Sequence, residues 1–455
     1  MKNKILIVSV SVLMLILTAC QNTQTSIKNT GVISEENRNV EQLSDAVDVI
    51  LNNCTAEFIG NNPVTEDFFF WVAKSFGDKV VFDIVEKGDV SNPEIWFNKT
   101  NKSIHVLWYE YCKELGLDAY DYSHIHEIET NQSYISFDFS GDLNLSDNAA
   151  TTIYMDQQPN GIMDCFSEDL ISEMQNADVL VLNNEFTYTD RGQPTPGKAF
   201  TFRANPSRVS AMLDLGCDLV TLANNHVWDY GLEGITDTFS TLDQASLPYV
   251  GAGNNLDEAC RAQYYVANGR KIAIVNATQI ERSYTYTKQA TKDSPGVLKT
   301  LDPNLFCQVI SDTKDHSDFV IVCVHWGTEG NSHYGQDQIL LANAYVQSGA
   351  DVIIGGHTHC LQGMEYIGDV PVYYSLGNYW FATSANMPST YDTGLARIQV
   401  FRNLSTTCEF IPCMFSQGKT SIASKENTGR IIAELNNLSQ SVTISTDGIL
   451  MKKGE

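Results

Sequence analysis

Positive charge is scarce in this chain: 29 Lys and Arg stand against 55 Asp and Glu, for a formal net charge of −26 over 455 residues. That deficit argues against nucleic acid and anionic lipid as partners, because both are polyanions that call for a basic surface. A cationic or neutral substrate stays open, as does a polyanion gripped locally by a metal; the plainest consequence of an acidic surface is solubility. The 11 cysteines contain no Cys-x-x-Cys pair and no zinc-finger spacing, which excludes the common thiolate zinc sites and dithiol redox motifs. Beyond the first twenty residues no apolar run is long enough to cross a membrane. Nor is there an internal repeat of roughly 20 to 50 residues.

What is present begins with a leader. Lys2 and Lys4 precede an apolar stretch, Ile5–Ala19, that ends at Cys20. A bilayer takes about 20 apolar residues, so this stretch reads as a signal-peptide core, not a transmembrane helix. Leu17-Thr18-Ala19-Cys20 resembles the bacterial lipobox, which implies lipidation at Cys20; an ordinary signal peptide with a cysteine at that place is the alternative. The expectation is a mature protein on the extracytoplasmic face of the cell membrane, held by lipid alone. Ten cysteines then remain, from Cys54 to Cys413. Several, such as Cys323, look like small core hydrophobes.

Composition divides the rest. Residues 1–19 form the signal peptide and 20–45 a polar, lipidated tether nearly free of aromatics. Residues 46–132 make a small N-terminal α-rich domain, with aromatic clusters such as Phe68-Phe69-Phe70-Trp71 at helix-like spacing and no evident chemistry. His105, His124 and His126 in it read as surface or core residues. Residues 133–415 alternate apolar strands with helical stretches, and 416–455 form a weakly alternating C-terminal extension without a reactive cluster. Seven strand candidates stand out: YISFDFSGD, ADVLVLNNE, CDLVTLANNH, KIAIVNATQ, DFVIVCVHWG, ADVIIGGHTH and VPVYYSLGN. Segments such as PSRVSAMLDLG, LEGITDTFSTLDQA and QDQILLANAYVQSG run between them as helices. Strand and helix in alternation predict an α/β domain with its site at the strand ends.

The residues just past those strands are Asp142, Asn184 with Glu185, Asn224-Asn225-His226, His325, and then His357 and His359. Any one of these histidines alone reads as hydrogen-bonded at a sheet edge. Four of only nine, each beyond an apolar run, point to one shared metal centre. On an extended segment His357 and His359, two apart, would face the same way and reach one ion, while Cys360 would face away. A mixed oxygen and nitrogen set suits one or two divalent transition metals, Mn, Fe or Zn, in preference to calcium or magnesium, and hydrolytic chemistry.

These residues also carry a resemblance. Gly141-Asp142, ANNHVWDYGLEG (223–234), PYVGAG (248–253), His325-Trp326-Gly327, SGADVIIGGHTHCLQG (348–363) and YSLGNYWF (374–381) are similar, in order and spacing, to the capsule-biosynthesis CapA proteins associated with poly-γ-glutamate capsules. Those proteins share the calcineurin-like metallophosphoesterase fold. The resemblance implies a four-layer αββα sandwich. It also implies that Asp142 and His359 hold one metal, that Glu185 bridges, and that Asn225, His325 and His357 hold the other. His226 would be the general acid for the leaving group and Asp229 would orient it. Two positions depart from the general phosphoesterase pattern: Asn144 stands where Asp-x-His has its imidazole, and the bridging position carries Glu185 in place of Asp.

Arg203, in TFRANP, suits a substrate carboxylate or phosphate, or else lies on the surface beside a proline turn. Glu329 is a supporting candidate near the site, and Trp326 reads either as a pocket wall or as core. The resulting expectation is an extracytoplasmic lipoprotein of capsule or poly-γ-glutamate-type polymer biosynthesis, acting as a metal-dependent hydrolase or transferase. The alternatives are a non-catalytic anchored component of a polymer synthesis or export complex, and a binding protein for a cell-wall ligand.

Overall fold

A computed structural model describes residues 42–47, 66–87, 93–116, 124–283 and 285–454. The expected leader, Cys20 and nearly all of the expected tether lie outside the described residues, as does Cys54.

Two sheets form the body. In the first, β1 (Tyr134–Leu143), β2 (Val179–Asn184) and β3 (Leu219–Thr221) run parallel. The second centres on β4 (Arg270–Thr278), β5 (Phe319–His325) and β6 (Val352–Gly356), also parallel. The first sheet continues past β1 through antiparallel β7 (Tyr391–Phe401) and β8 (Thr406–Ser416). All seven strand candidates are strands, because a parallel strand covered on both faces needs apolar side chains in both directions. In β5, Ile321 and Cys323 face the other sheet while Val320, Val322 and Val324 face helices.

Helices close the outer faces. Leu170, Met212, Ile235 and Phe239 pack on the first sheet, the last two from α1 (Gly231–Gln244). Phe306 and Ile310 of α2 (Pro303–Lys314), and Ala342 and Tyr345 of α3 (Gln336–Gln347), pack on the second. Phe137, Val181, Ile274 and Ile354 fill the space between the sheets. The result is the expected four-layer αββα sandwich.

Four helices between Glu66 and Leu115 make the aromatic N-terminal block, with Phe68 packed against Trp96, Trp108 and Tyr111. The block is tied to the second sheet at Ser103, whose hydroxyl donates to Asp318 at 2.6 Å. Arg270 also lays its guanidinium over the Phe97 ring at 3.8 Å.

The C-terminal residues are more ordered than weak alternation implies. They hold α4 (Lys425–Leu438), started by the Ser424 hydroxyl accepting from the Asn427 amide. Ile431, Ile432 and Leu435 of α4 close one end of the inter-sheet core. The nine described cysteines are unpaired. No helix among the described residues is long and apolar enough to cross a membrane.

Candidate metal centre

The centre lies where β1, β2, β3, β5 and β6 end. Asp142 reaches it through an irregularity in β1: the pairing with β2 shifts between Phe139 and Asp142. A β-carbon on Gly141 would sit 2.0 Å from the Gly377 carbonyl oxygen, so only glycine lets this bend pack against the Ser375–Asn378 turn. The Gly377 carbonyl in turn accepts the Asp142 amide at 2.8 Å. Beyond β6, Gly355 is equally confined, its missing β-carbon 2.1 Å from the Tyr374 carbonyl oxygen. His357 and His359 then adopt left-handed φ of 93° and 58°. The segment is therefore not extended, and the two imidazoles enter the centre by way of a tight turn. Bulky residues rarely hold such backbone, and where they do it clusters at functional sites.

That turn sends the two imidazoles to different places. Glu185, His325 and His357 form one group of converging donor atoms, and Asp142, Glu185 and His359 form another, with Glu185 common to both. His325 Nε2 faces Asn225 Oδ1 at 2.9 Å, His357 Nδ1 at 3.2 Å and Glu185 Oε1 at 3.4 Å. One ring nitrogen carries at most one proton and cannot satisfy three such neighbours. His359 Nδ1 lies 3.3 Å from Asp142 Oδ2 and 2.8 Å from Asn378 Oδ1.

Glu185 decides how this cluster is read. It is fully buried and neither carboxylate oxygen accepts a hydrogen bond. Burial, reinforced by the Asp142 charge, pushes its carboxyl well above the ordinary range. A carboxylate with both oxygens orphaned is costly unless a cation compensates it. Burial also holds His325 down to about 4 and His357 well below the usual imidazole range, so both rings are neutral, the form that binds metal. Burial works against ionised Asp142, but the hydrogen bond and charge of His359, with a further hydrogen bond from Asn183, outweigh it and keep the carboxyl low. The donor set thus fits one or two divalent cations. Asn144 takes no part: its amide donates to the Ala382 carbonyl and its oxygen accepts from the Ser146 amide.

His226 stands beside the cluster, its Nε2 3.9 Å from Glu185 Oε1 and its Nδ1 2.7 Å from Asp229 Oδ2. Asp229 also accepts the Phe202 amide at 2.6 Å, and the Phe202 ring covers His226 with centroids 4.2 Å apart. Burial and the nearby Lys198 charge hold His226 well below the usual range, while burial raises Asp229 to about 7. Of the other candidates, Arg203 stacks on the Tyr230 ring at 4.5 Å. Glu329 sits exposed in the loop after β5. Trp326 is core: fully buried, it stacks on Tyr345 and Tyr374 and donates to the Tyr374 carbonyl.

Three contributors escaped the sequence reading. Asn183 donates to Asp142 at 2.8 Å, one residue before the expected pair Asn184-Glu185. Asn378 orients His359 from the SLGN turn. Lys198, with a side chain only 6% exposed, donates to the Asn225 carbonyl and to Asp229 Oδ1. Its position between Gly197 and Ala199 gave no sign of burial.

Residues 136–383 match the family described as bacterial capsule synthesis protein PGA_cap. The capsule biosynthesis protein CapA of Bacillus anthracis is 33% identical over 219 residues, 47% of this chain and 52% of that protein. The PGA biosynthesis protein CapA of Bacillus subtilis is 33% identical over 230 residues, covering 50% and 59%. A probable polyglutamine synthesis accessory protein of Mycobacterium tuberculosis is 30% identical over 216 residues, covering 46% and 57%. The chain thus spans only a little over half the length of these relatives.

Proposed function

The chain belongs to the bacterial capsule synthesis protein family PGA_cap, and on that premise we propose that it is an extracytoplasmic lipoprotein acting as a metal-dependent hydrolase or transferase in capsule or poly-γ-glutamate-type polymer biosynthesis. The observation that carries the catalytic part is Glu185, buried, accepting no hydrogen bond and shared by two groups of donor atoms. In this reading Asn225, His325 and His357 would hold one transition metal ion, Mn, Fe or Zn, Asp142 and His359 would hold a second, and Glu185, common to both groups of donors, would serve either. Such ions, when bound, supply Lewis acidity and an activated water at neutral pH.

The remaining work falls to this chain's side chains. Asp229 holds the His226 ring by Nδ1 and so leaves Nε2 directed at the cluster. Because His226 is neutral at rest, it would accept at Nε2 the proton given up by the attacking water and pass that proton to the leaving oxygen. Phe202 packs over one face of the His226 ring. A positioned acid of this kind contributes about 10² to 10⁴ in rate.

The second reading is a non-catalytic anchored component of a polymer synthesis or export complex. The word "accessory" in the mycobacterial relative's name favours it. The test is turnover of phosphoesters and γ-glutamyl peptides by metal-loaded full-length protein in detergent. An enzyme turns over at least one of these, and His226→Ala loses that turnover while keeping metal. Absence of turnover, with capsule output unaffected by His226→Ala, selects the assembly role.

A further inference from the structure

Of the residues that converge on the centre, His359 has the most solvent contact, its side chain 21% exposed where those of Asp142, Glu185, His325 and His226 are at most 6%. Its exposed side lines a cavity of about 150 Å³. One wall is Ser332 with the loop Cys360-Leu361; the other is Tyr391 and Asp392 at the start of β7 together with Ile431, Glu434, Leu435 and Leu438 of α4. Arg430 fixes that second wall by donating to both oxygens of Asp392, each at 2.7 Å. The second wall comes wholly from beyond residue 383, outside the stretch that matches the family.

Resting on the metal-centre reading above, the geometry points to a substrate subsite here: the cavity receives an uncharged, mainly apolar group of side-chain size, carried by an oxyanion held at the centre. Size sets the first limit. Drug-sized ligands fill roughly 300 Å³ or more, whereas a cavity near 150 Å³ takes something like a benzene ring. Charge sets the second. Asp392 and Glu434 line the cavity, and the cations beside them are already engaged, Arg430 by these two carboxylates and His359 by Asp142, so an anionic extension meets carboxylates and finds no partner. A polyglutamate chain would accordingly run elsewhere, and the C-terminal helix would select what is attached to the reacting group.

The test compares three probes by calorimetry on Mn-loaded full-length protein: inorganic phosphate, phenylphosphonate and phosphonoacetate. Phenylphosphonate should bind on the order of tenfold tighter than phosphate, and phosphonoacetate no tighter than phosphate. Leu438→Trp and Ser332→Trp fill the cavity from opposite walls, so a folding failure in one leaves the other. Each should erase the phenyl advantage with metal content and phosphate affinity unchanged. Equal affinity for phosphate and phenylphosphonate in the unaltered protein, or an advantage that survives both substitutions, overturns the subsite while the centre stands. If no probe binds and no metal is retained, the metal-centre reading falls and takes the subsite with it.

Discussion

Lys198 Nζ lies 2.5 Å from Asp229 Oδ1, and the same ammonium donates to the carbonyl of Asn225. One buried cation therefore ties the residue that orients His226 to the residue beside it in the turn after β3. Lys198→Met leaves Asp229 without its charge partner in a nearly water-free setting, where breaking a pair costs about 3 kcal/mol or more. The expected result is a lower melting temperature together with loss of turnover. Lys198→Arg should restore more stability than activity, because a guanidinium cannot repeat the compact geometry of an ammonium. Thermal unfolding and kinetics of both variants check this.

Gly141→Ala tests how Asp142 is delivered. The added methyl would meet the Gly377 carbonyl oxygen at 2.0 Å, and backbone on both sides must move. A destabilisation of about 1–3 kcal/mol is expected, with weakened metal binding because Asp142 moves too. Metal affinity equal to that of the unaltered protein would show that the β1 bend does not set the carboxylate's place.

The strand ends were legible in the sequence because a parallel strand buried on both faces must be an apolar run, and the polar residues that interrupt it mark its exit. His325 beyond FVIVCV and His226 beyond LVTLANN show this plainly. The path of His357 and His359 was not legible, since a left-handed turn at two histidines leaves no mark in residue type. Lys198 was hidden for a related reason: its burial comes from contacts made by the turn around Asp229, far along the chain. Helix α4 carries polar residues such as Asn427, Thr428 and Asn436 among few apolar ones, so its apolar face was sparse, and its packing came from the inter-sheet core it closes.

Lys271 should contribute stability that grows with pH through the weakly alkaline range, opposite in sign to His359, whose imidazole is held up to about 10. Lys271 is buried at the junction with the N-terminal helices, and burial lowers its ammonium to about 7 despite the opposing charge of Asp318. Between that value and the ordinary 10.5 the unfolded chain binds a proton that the folded one does not, so unfolding becomes harder as pH rises. Lys299, lowered by burial to about 8, adds in the same direction above that pH. The melting-temperature advantage of Lys271→Met over the unaltered protein should therefore shrink between pH 7 and about 9.5, as the unfolded chain's ammonium is lost. An advantage that stays constant across this range would contradict the assignment.

The lipid anchor is tested in cells. Cys20→Ala should release the protein from the membrane fraction or leave an unprocessed precursor, because Leu17-Thr18-Ala19-Cys20 resembles a lipobox and the tether beyond it is polar. Unchanged processing and membrane association in the variant would rule out lipidation at this position.

The central claim is that Glu185 is buried to meet metal. Elemental analysis of freshly purified full-length protein tests it most directly, alongside Glu185→Gln, which keeps the shape and removes the shared charge. The account predicts at least one transition metal ion per chain in the unaltered protein and substantial loss of it in Glu185→Gln. Finding none in the unaltered protein, even after equilibration with Mn or Zn, would contradict it.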